Sequence, residues 1–210
     1  IPLGTRMEVS LTPKTKRVLP IDEMFSSNPY DMLPNSEFPK NSRIVILDDE
    51  FLFHYGHSFQ DNTIYLGAEN RGIRCLKLEL KDGKFTINRI WSQRRASQDM
   101  ATSVINDGYL YGHSHRKGGQ LFCVDMKSGD IAWTGTPHIG LNATSLALPG
   151  YVISLINDGN LHILEAKGKE TKIIQSYVVA DSQTWAAPVL LQDGFLIKAH
   201  NKLIRWKFRK

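Results

Sequence analysis

Residues Ala101 to Thr134 read ATSVINDGYLYGHSHRKGGQLFCVDMKSGDIAWT, and this stretch decides the fold. Ala101 to Ile105 alternates as a strand, Asn106-Asp107-Gly108 is a tight-turn signal, and Tyr109 to His113 alternates again. Two short alternating runs around an Asp-Gly pair predict an antiparallel hairpin, because such pairs tolerate the positive φ angles that a two-residue turn needs. The loop with Gly118-Gly119 leads to a third strand, Gln120 to Asp125, and Met126 to Gly129 turns the chain into a fourth, Asp130 to Thr134. Leu121, Cys123 and Asp125 point to one face of their strand and Phe122 and Val124 to the other. Apolar residues on both faces suit a sheet covered on both sides.

The unit repeats. Turn signals recur ahead of apolar alternation at Asp61-Asn62-Thr63, Asn106-Asp107-Gly108, Pro149-Gly150 and Asp193-Gly194. They end at residues 63, 108, 150 and 194, at intervals of 45, 42 and 44 residues. Four short antiparallel strands in each interval, with no long 3.6-residue period, are the pattern of propeller blades and predict very little helix. The expected fold class is therefore all-β, a β-propeller of four-stranded antiparallel blades. Three to four blades fall at about 50–98, 99–140, 141–182 and 183–210 within the span 43–210. Residues 1–42 hold six prolines and lack the turn spacing, so they read as a Pro-rich irregular extension or the remnant of a degenerate blade. Arg43 to Leu47 is a good strand without a blade; it fits the outer strand of an earlier blade, or the missing outer strand of the last.

Cys123-Val124-Asp125-Met126-Lys127-Ser128-Gly129-Asp130-Ile131-Ala132-Trp133 resembles the A-x-D-x-x-T-G-x-x-x-W tryptophan-docking motif of PQQ-like, quinoprotein-type β-propeller repeat proteins, the BamB-like family of bacteria. Cys stands for Ala and Ser for Thr. The physical reading needs no family name. Asp125 can accept amide hydrogen bonds in its own turn, Gly129 permits a positive φ, and Trp133 can pack on the neighbouring blade with its N–H on a carbonyl. Neighbouring copies are degenerate: Cys75, Gly83 and Trp91 fill the roles in the blade before, Ile163 and Glu165 align in the blade after, and Arg205 and Lys207 in the last. The resemblance covers about His54 to Phe208 and implies the later part of a seven- or eight-bladed ring.

Composition narrows the function. Lys and Arg number 26 against 21 Asp and Glu, a net charge of +5, with several of the cations near the C-terminus, which reads as a solvated surface and not as a nucleic-acid face. No apolar stretch reaches the ~20 residues of a bilayer span, and no signal peptide is legible in the chain. Cys75 and Cys123 occupy the same position of the third strand, in sheets ~10 Å apart, so both are expected to be free, buried thiols.

Site candidates come from the inner strands, which approach the central channel. Aligning Ser58 with Ser103 and Ser145 brings His57 to the channel, together with Asp99, Asn142 and Trp185. These four are the expected ligand-binding ring, set against the reading that such residues satisfy one another around water. His113-Ser114-His115 alternates beside a loop; two ligands make a weak metal site, and exposed loop histidines are the simpler reading. Asn142-Ala143-Thr144 is a glycosylation sequon in form but lies on an inner strand. No Gly-rich phosphate loop, nucleophile elbow or zincin helix is present.

The expected function is a non-catalytic binding or scaffold propeller, with a protein partner or small ligand at the channel or loop face and with no cofactor. The resemblance implies an extracytoplasmic, envelope-associated setting. The alternative is a fragment of a PQQ-dependent dehydrogenase, which would need PQQ, Ca²⁺ and an inner-strand carboxylate set. WD-type propellers are disfavoured because no blade pairs a Gly-His with a Trp-Asp.

Overall fold

The computed structural model describes residues 3–10, 56–81 and 84–209. Sixteen strands form four antiparallel sheets of four among these residues. The first sheet runs β2 (Gly56–Gln60), β3 (Thr63–Ala68), β4 (Gly72–Lys81) and β5 (Lys84–Gln93). The second runs β6 (Val104–Asn106), β7 (Tyr109–Ser114), β8 (Gln120–Asp125) and β9 (Ile131–Thr134). The third runs β10 (Ala143–Leu148), β11 (Tyr151–Ile156), β12 (Asn160–Glu165) and β13 (Lys172–Val178). The fourth joins β14 (Val189–Leu191), β15 (Gly194–Lys198) and β16 (Lys202–Phe208) to β1 (Leu3–Ser10). Among the described residues helix is limited to single turns at Arg116–Gly118 and Gly168–Glu170.

The turn chemistry holds the hairpins as the residues require. Asp107 and Gly108 have φ of 46° and 75°, and Asp61 and Asn62 have φ of 49° and 58°, so both two-residue turns use the left-handed region. The Asp125 turn is closed by its own side chain. Asp125 Oδ1 accepts the N–H groups of Lys127 at 2.9 Å and Ser128 at 3.0 Å, and Ser128 Oγ accepts the N–H of Asp130 at 3.1 Å. Gly129 sits at φ 77°.

Successive sheets are sealed by apolar clusters drawn from facing sides. Tyr65, Ile73 and Cys75 of the first sheet meet Leu110, Phe122 and Val124 of the second. Tyr111, Leu121 and Cys123 on the opposite side of the second sheet meet Val152, Leu164 and Ala166, with Trp133 packed against the cluster. Ile153, Leu155 and Ile163 then meet Phe195 and Ile197. Polar ties stitch the same seams: Asn106 Nδ2 donates to the carbonyls of Leu148 at 2.7 Å and Tyr151 at 2.8 Å. The indole N–H of Trp91 donates to the Met126 carbonyl at 2.9 Å, with its ring against Gly129. Trp206 makes the equivalent kind of bond to the Val179 carbonyl, also at 2.9 Å.

The fourth sheet departs from expectation. Its outer strand is Leu3–Ser10, which pairs antiparallel with β16, Glu8 opposite Ile204 and Ser10 opposite Lys202. This strand lies inside the segment read from sequence as an irregular extension or the remnant of a degenerate blade. The six prolines of residues 1–40 masked it: none falls between Leu3 and Ser10, and its pairing partner lies almost the whole chain away. Arg43 to Leu47, the strand expected to serve here or in an earlier blade, lies outside the described residues.

Candidate functional site

The hydrogen-bond registers place the inner strands. Tyr65 pairs with Cys75 and Ser58, Tyr111 pairs with Cys123 and Val104, and Ile153 pairs with Ile163 and Leu146. Ser58, Val104 and Leu146 are therefore equivalent, one residue from the alignment of Ser58 with Ser103 and Ser145 that the sequence suggests. A slip of one residue exchanges the two faces of a strand. Similar adjacent residues at the start of the inner segments, Thr102-Ser103 and Thr144-Ser145, leave that choice undetermined until the ladders are known.

Of the four channel candidates, His57 lies on β2 opposite Leu66, with its side chain outside the described residues. Asn142 is buried, at 8% exposure. Its N–H donates to Asn157 Oδ1 at 3.3 Å and its carbonyl accepts the Asn157 N–H at 2.9 Å, whereas its own Oδ1 is buried without a partner. Asp99 is half-buried on the link between the first two sheets. Trp185 is 53% exposed, its indole N–H donating to Gln183 Oε1 at 3.4 Å. No hydrogen bond among the described residues joins Asp99, Asn142 and Trp185.

The inner region instead gathers small polar groups. Ser58 Oγ donates to the Ser103 carbonyl at 2.5 Å, and the Ser145 and Ser154 hydroxyls meet at 2.7 Å. Thr184 Oγ1 donates to the Ile156 carbonyl at 2.8 Å. The Gln98 side chain lies on the backbone of Gly67, where a Cβ would collide with it, and reaches Gly112, where a Cβ would collide with Phe122 and Ser103. Ser103 Oγ is buried without a partner.

His113 corrects the expectation of exposed loop histidines. It belongs to β7, paired with Leu121, and is 1% exposed, because the strand runs on through Ser114 and the loop begins later than the sequence suggests. Neither ring nitrogen has a partner in good hydrogen-bond geometry, although the Gly140 backbone lies close enough to act on the ring. Burial pushes its pKa down to about 4, the Gly140 backbone opposing this and His115 and His162 adding to it. Among the described residues no group of three or more His, Cys, Asp and Glu side chains could hold a metal ion.

The two cysteines are free and buried. Each pairs across the ladder with a tyrosine, Cys75 with Tyr65 and Cys123 with Tyr111. Burial pushes the Cys123 thiol and the Tyr111 phenol up to about 12, so both are neutral near pH 7. The Tyr111 hydroxyl is engaged by Thr171 Oγ1 at 3.2 Å and accepts the Gly168 N–H at 3.0 Å. These groups hold the seam between the second and third sheets.

A larger opening lies at the edge of the third and fourth sheets. It is an apolar groove of about 540 Å³ lined by residues that include Tyr151, Ile153, Ile174, Leu190 and Phe208. Tyr151, Ile174 and Leu190 are 43%, 37% and 40% exposed. Sequence reading missed it because its walls come from strands of two different repeats.

Comparison with solved structures agrees with the architecture. The chain is similar to BamB from Moraxella catarrhalis, a PQQ-like propeller, with a TM-score of 0.51 and 14% identity over 74% of this chain and 44% of that one. The fold is a β-propeller. It is also similar to the computationally designed Ika4 protein, with a TM-score of 0.56 and 13% identity over 75% of this chain and 91% of that one. The propeller described here thus spans less than half the length of BamB and nearly the whole length of Ika4. At these identities the likeness concerns the fold alone. No family model matches the chain, and no curated protein matches it. No helix among the described residues is long and apolar enough to cross a membrane.

Proposed function

We propose that this propeller is a non-catalytic binding or scaffold module that presents its surface to a protein partner or a small ligand. The observation that carries the reading is the apolar groove of the third and fourth sheets. Buried seams take up the apolar residues that face other sheets, yet Tyr151, Ile174 and Leu190 stay exposed around one depression. Contiguous exposed apolar surface of this kind marks interaction sites. The buried titratable groups support the same reading, since Tyr65, Tyr111, Cys75 and Cys123 have pKa values raised by burial and serve as packing.

The resemblance of the Cys123–Trp133 stretch to the PQQ-like repeat supports an extracytoplasmic, envelope-associated setting. The reading includes no cofactor. Under the dehydrogenase alternative Asp99 and Trp185 would share a quinone site, and that pairing finds no support in an exposed Trp185 tied to Gln183.

The test is a titration of the protein with PQQ and Ca²⁺, followed by absorbance and thermal shift. Absence of saturable, Ca²⁺-dependent binding is expected. Saturable, Ca²⁺-dependent binding with a raised melting temperature would replace the scaffold reading with an oxidoreductase one.

A further inference from the structure

A second opening lies on the link from the first sheet to the second, a cleft of about 440 Å³. Its lining mixes the apolar Ala96, Phe122 and Ile131 with Arg95, Arg116 and Lys117 and contains no carboxylate. Some other described cations find carboxylates, among them Lys167 and Lys172 on Glu165, Lys202 on Asp181, and Arg205 on Asp193. Among the described residues no ion pair reaches any of the three cleft cations.

The backbone that carries the cations is held in place, and the Arg116 guanidinium is itself bonded. Gln93 Oε1 accepts the Arg95 N–H at 3.1 Å, while Gln93 Nε2 donates to the Gly129 carbonyl at 2.9 Å, so Arg95 is anchored to both sheets. Arg116 Nη1 donates to the Arg94 carbonyl at 3.4 Å, and its backbone N–H donates to the Oγ of Ser114, a buried cleft residue, at 3.3 Å. Lys117 holds φ at 58°, and its carbonyl accepts the His138 N–H at 3.1 Å. Like charges gathered in one cleft raise the local potential, and an anion relieves that repulsion while an apolar body meets the apolar part of the lining. The cleft has the size of small-molecule sites, and guanidinium groups suit phosphate and carboxylate oxygens.

We infer that the Arg95–Arg116–Lys117 cleft binds a small molecule that carries a phosphate or carboxylate group on an apolar body. This deepens the binding reading above and rests on it. The probes are 1-naphthyl phosphate, 1-naphthoate and neutral 1-naphthol, titrated calorimetrically at low ionic strength in EDTA. At least one anion binds about tenfold or more tighter than naphthol, and the tighter of the two identifies the headgroup. The Arg95→Gln/Arg116→Gln variant loses that preference, with circular dichroism and melting temperature confirming that it is folded. The single Arg95→Gln variant, changed at an exposed side chain, gives a smaller loss and serves if the double variant does not fold. Equal binding of all three probes, or unchanged anion affinity in the folded variant, overturns the assignment. PQQ itself carries carboxylates, and this separates the two tests. Binding of PQQ that persists in EDTA and is lost in the arginine variant belongs to the cleft, whereas Ca²⁺-dependent binding that survives the variant belongs to a quinone site.

Discussion

Gly129 and Trp91 show how one residue type at one position ties two blades together. Gly129 holds φ at 77°, and a Cβ built there would stand 2.6 Å from Cδ2 of the Trp91 ring. Gly129→Ala is expected to cost about 2–4 kcal/mol, part from the left-handed backbone and part from the displaced indole. In a Trp91→Ala background the cost should shrink to the backbone part, ~1–2 kcal/mol. Urea denaturation of the four proteins of this cycle measures the difference; equal costs in both backgrounds would mean that the ring does not rest on this turn. His113 supplies a pH signature. Its folded pKa of about 4 lies below the ordinary 6.5, so above pH 6.5 both folded and unfolded states are neutral and the full stability is present. As pH falls from 6.5 toward 4 the unfolded chain takes up a proton that the folded one refuses, and stability declines by up to about 3 kcal/mol. His162, whose pKa is also lowered by burial, acts in the same sense. His113→Leu leaves no buried ring nitrogen and should flatten the acid limb of a stability–pH curve, with little change at pH 7. A curve as steep as that of the unsubstituted protein would remove His113 from the account.

At the scale of elements, the second sheet follows its sequence closely. The strand expected at Gln120 to Asp125 is β8 residue for residue, and the second hairpin strand runs one residue longer than expected, through Ser114. Local rules suffice there because both turns carry their own conformational instruction. The inner strand is shorter, beginning at Val104 where alternation begins at Ala101, since Ala101 to Ser103 has no partner in the ladder to β7. β1 is the opposite case: nothing in its own eight residues points to β16. Its pairing leaves the fourth sheet with the same four strands as the others, and without it β16 would present an open edge to solvent. Deletion of residues 1–10 is therefore expected to lower the melting temperature by more than ~5 °C and to promote self-association. Calorimetry and sedimentation check this, and a peptide of residues 3–10 added in excess should restore part of the loss. A deletion variant that melts as the full chain does and stays monomeric would show the strand to be dispensable.

For the whole molecule, sequence by itself determined the repeat, the all-β class and the four-stranded unit. Those features rest on turn residues and two-residue alternation, which act over a few neighbours. The Asp125–Gly129 turn and the burial of both cysteines were legible for the same reason. Tertiary structure alone decided the rest. Asp99, Asn142 and Trp185 read alike from sequence as inner-strand residues, but each lies on the link ahead of its inner strand, and the course of that link leaves one half-buried, one enclosed and one exposed. The apolar groove and the cationic cleft draw their walls from neighbouring repeats, and the closing strand comes from the opposite end of the described chain. Such features depend on which distant segments meet, and the free energy that selects those meetings is shared among buried seams that no local pattern encodes.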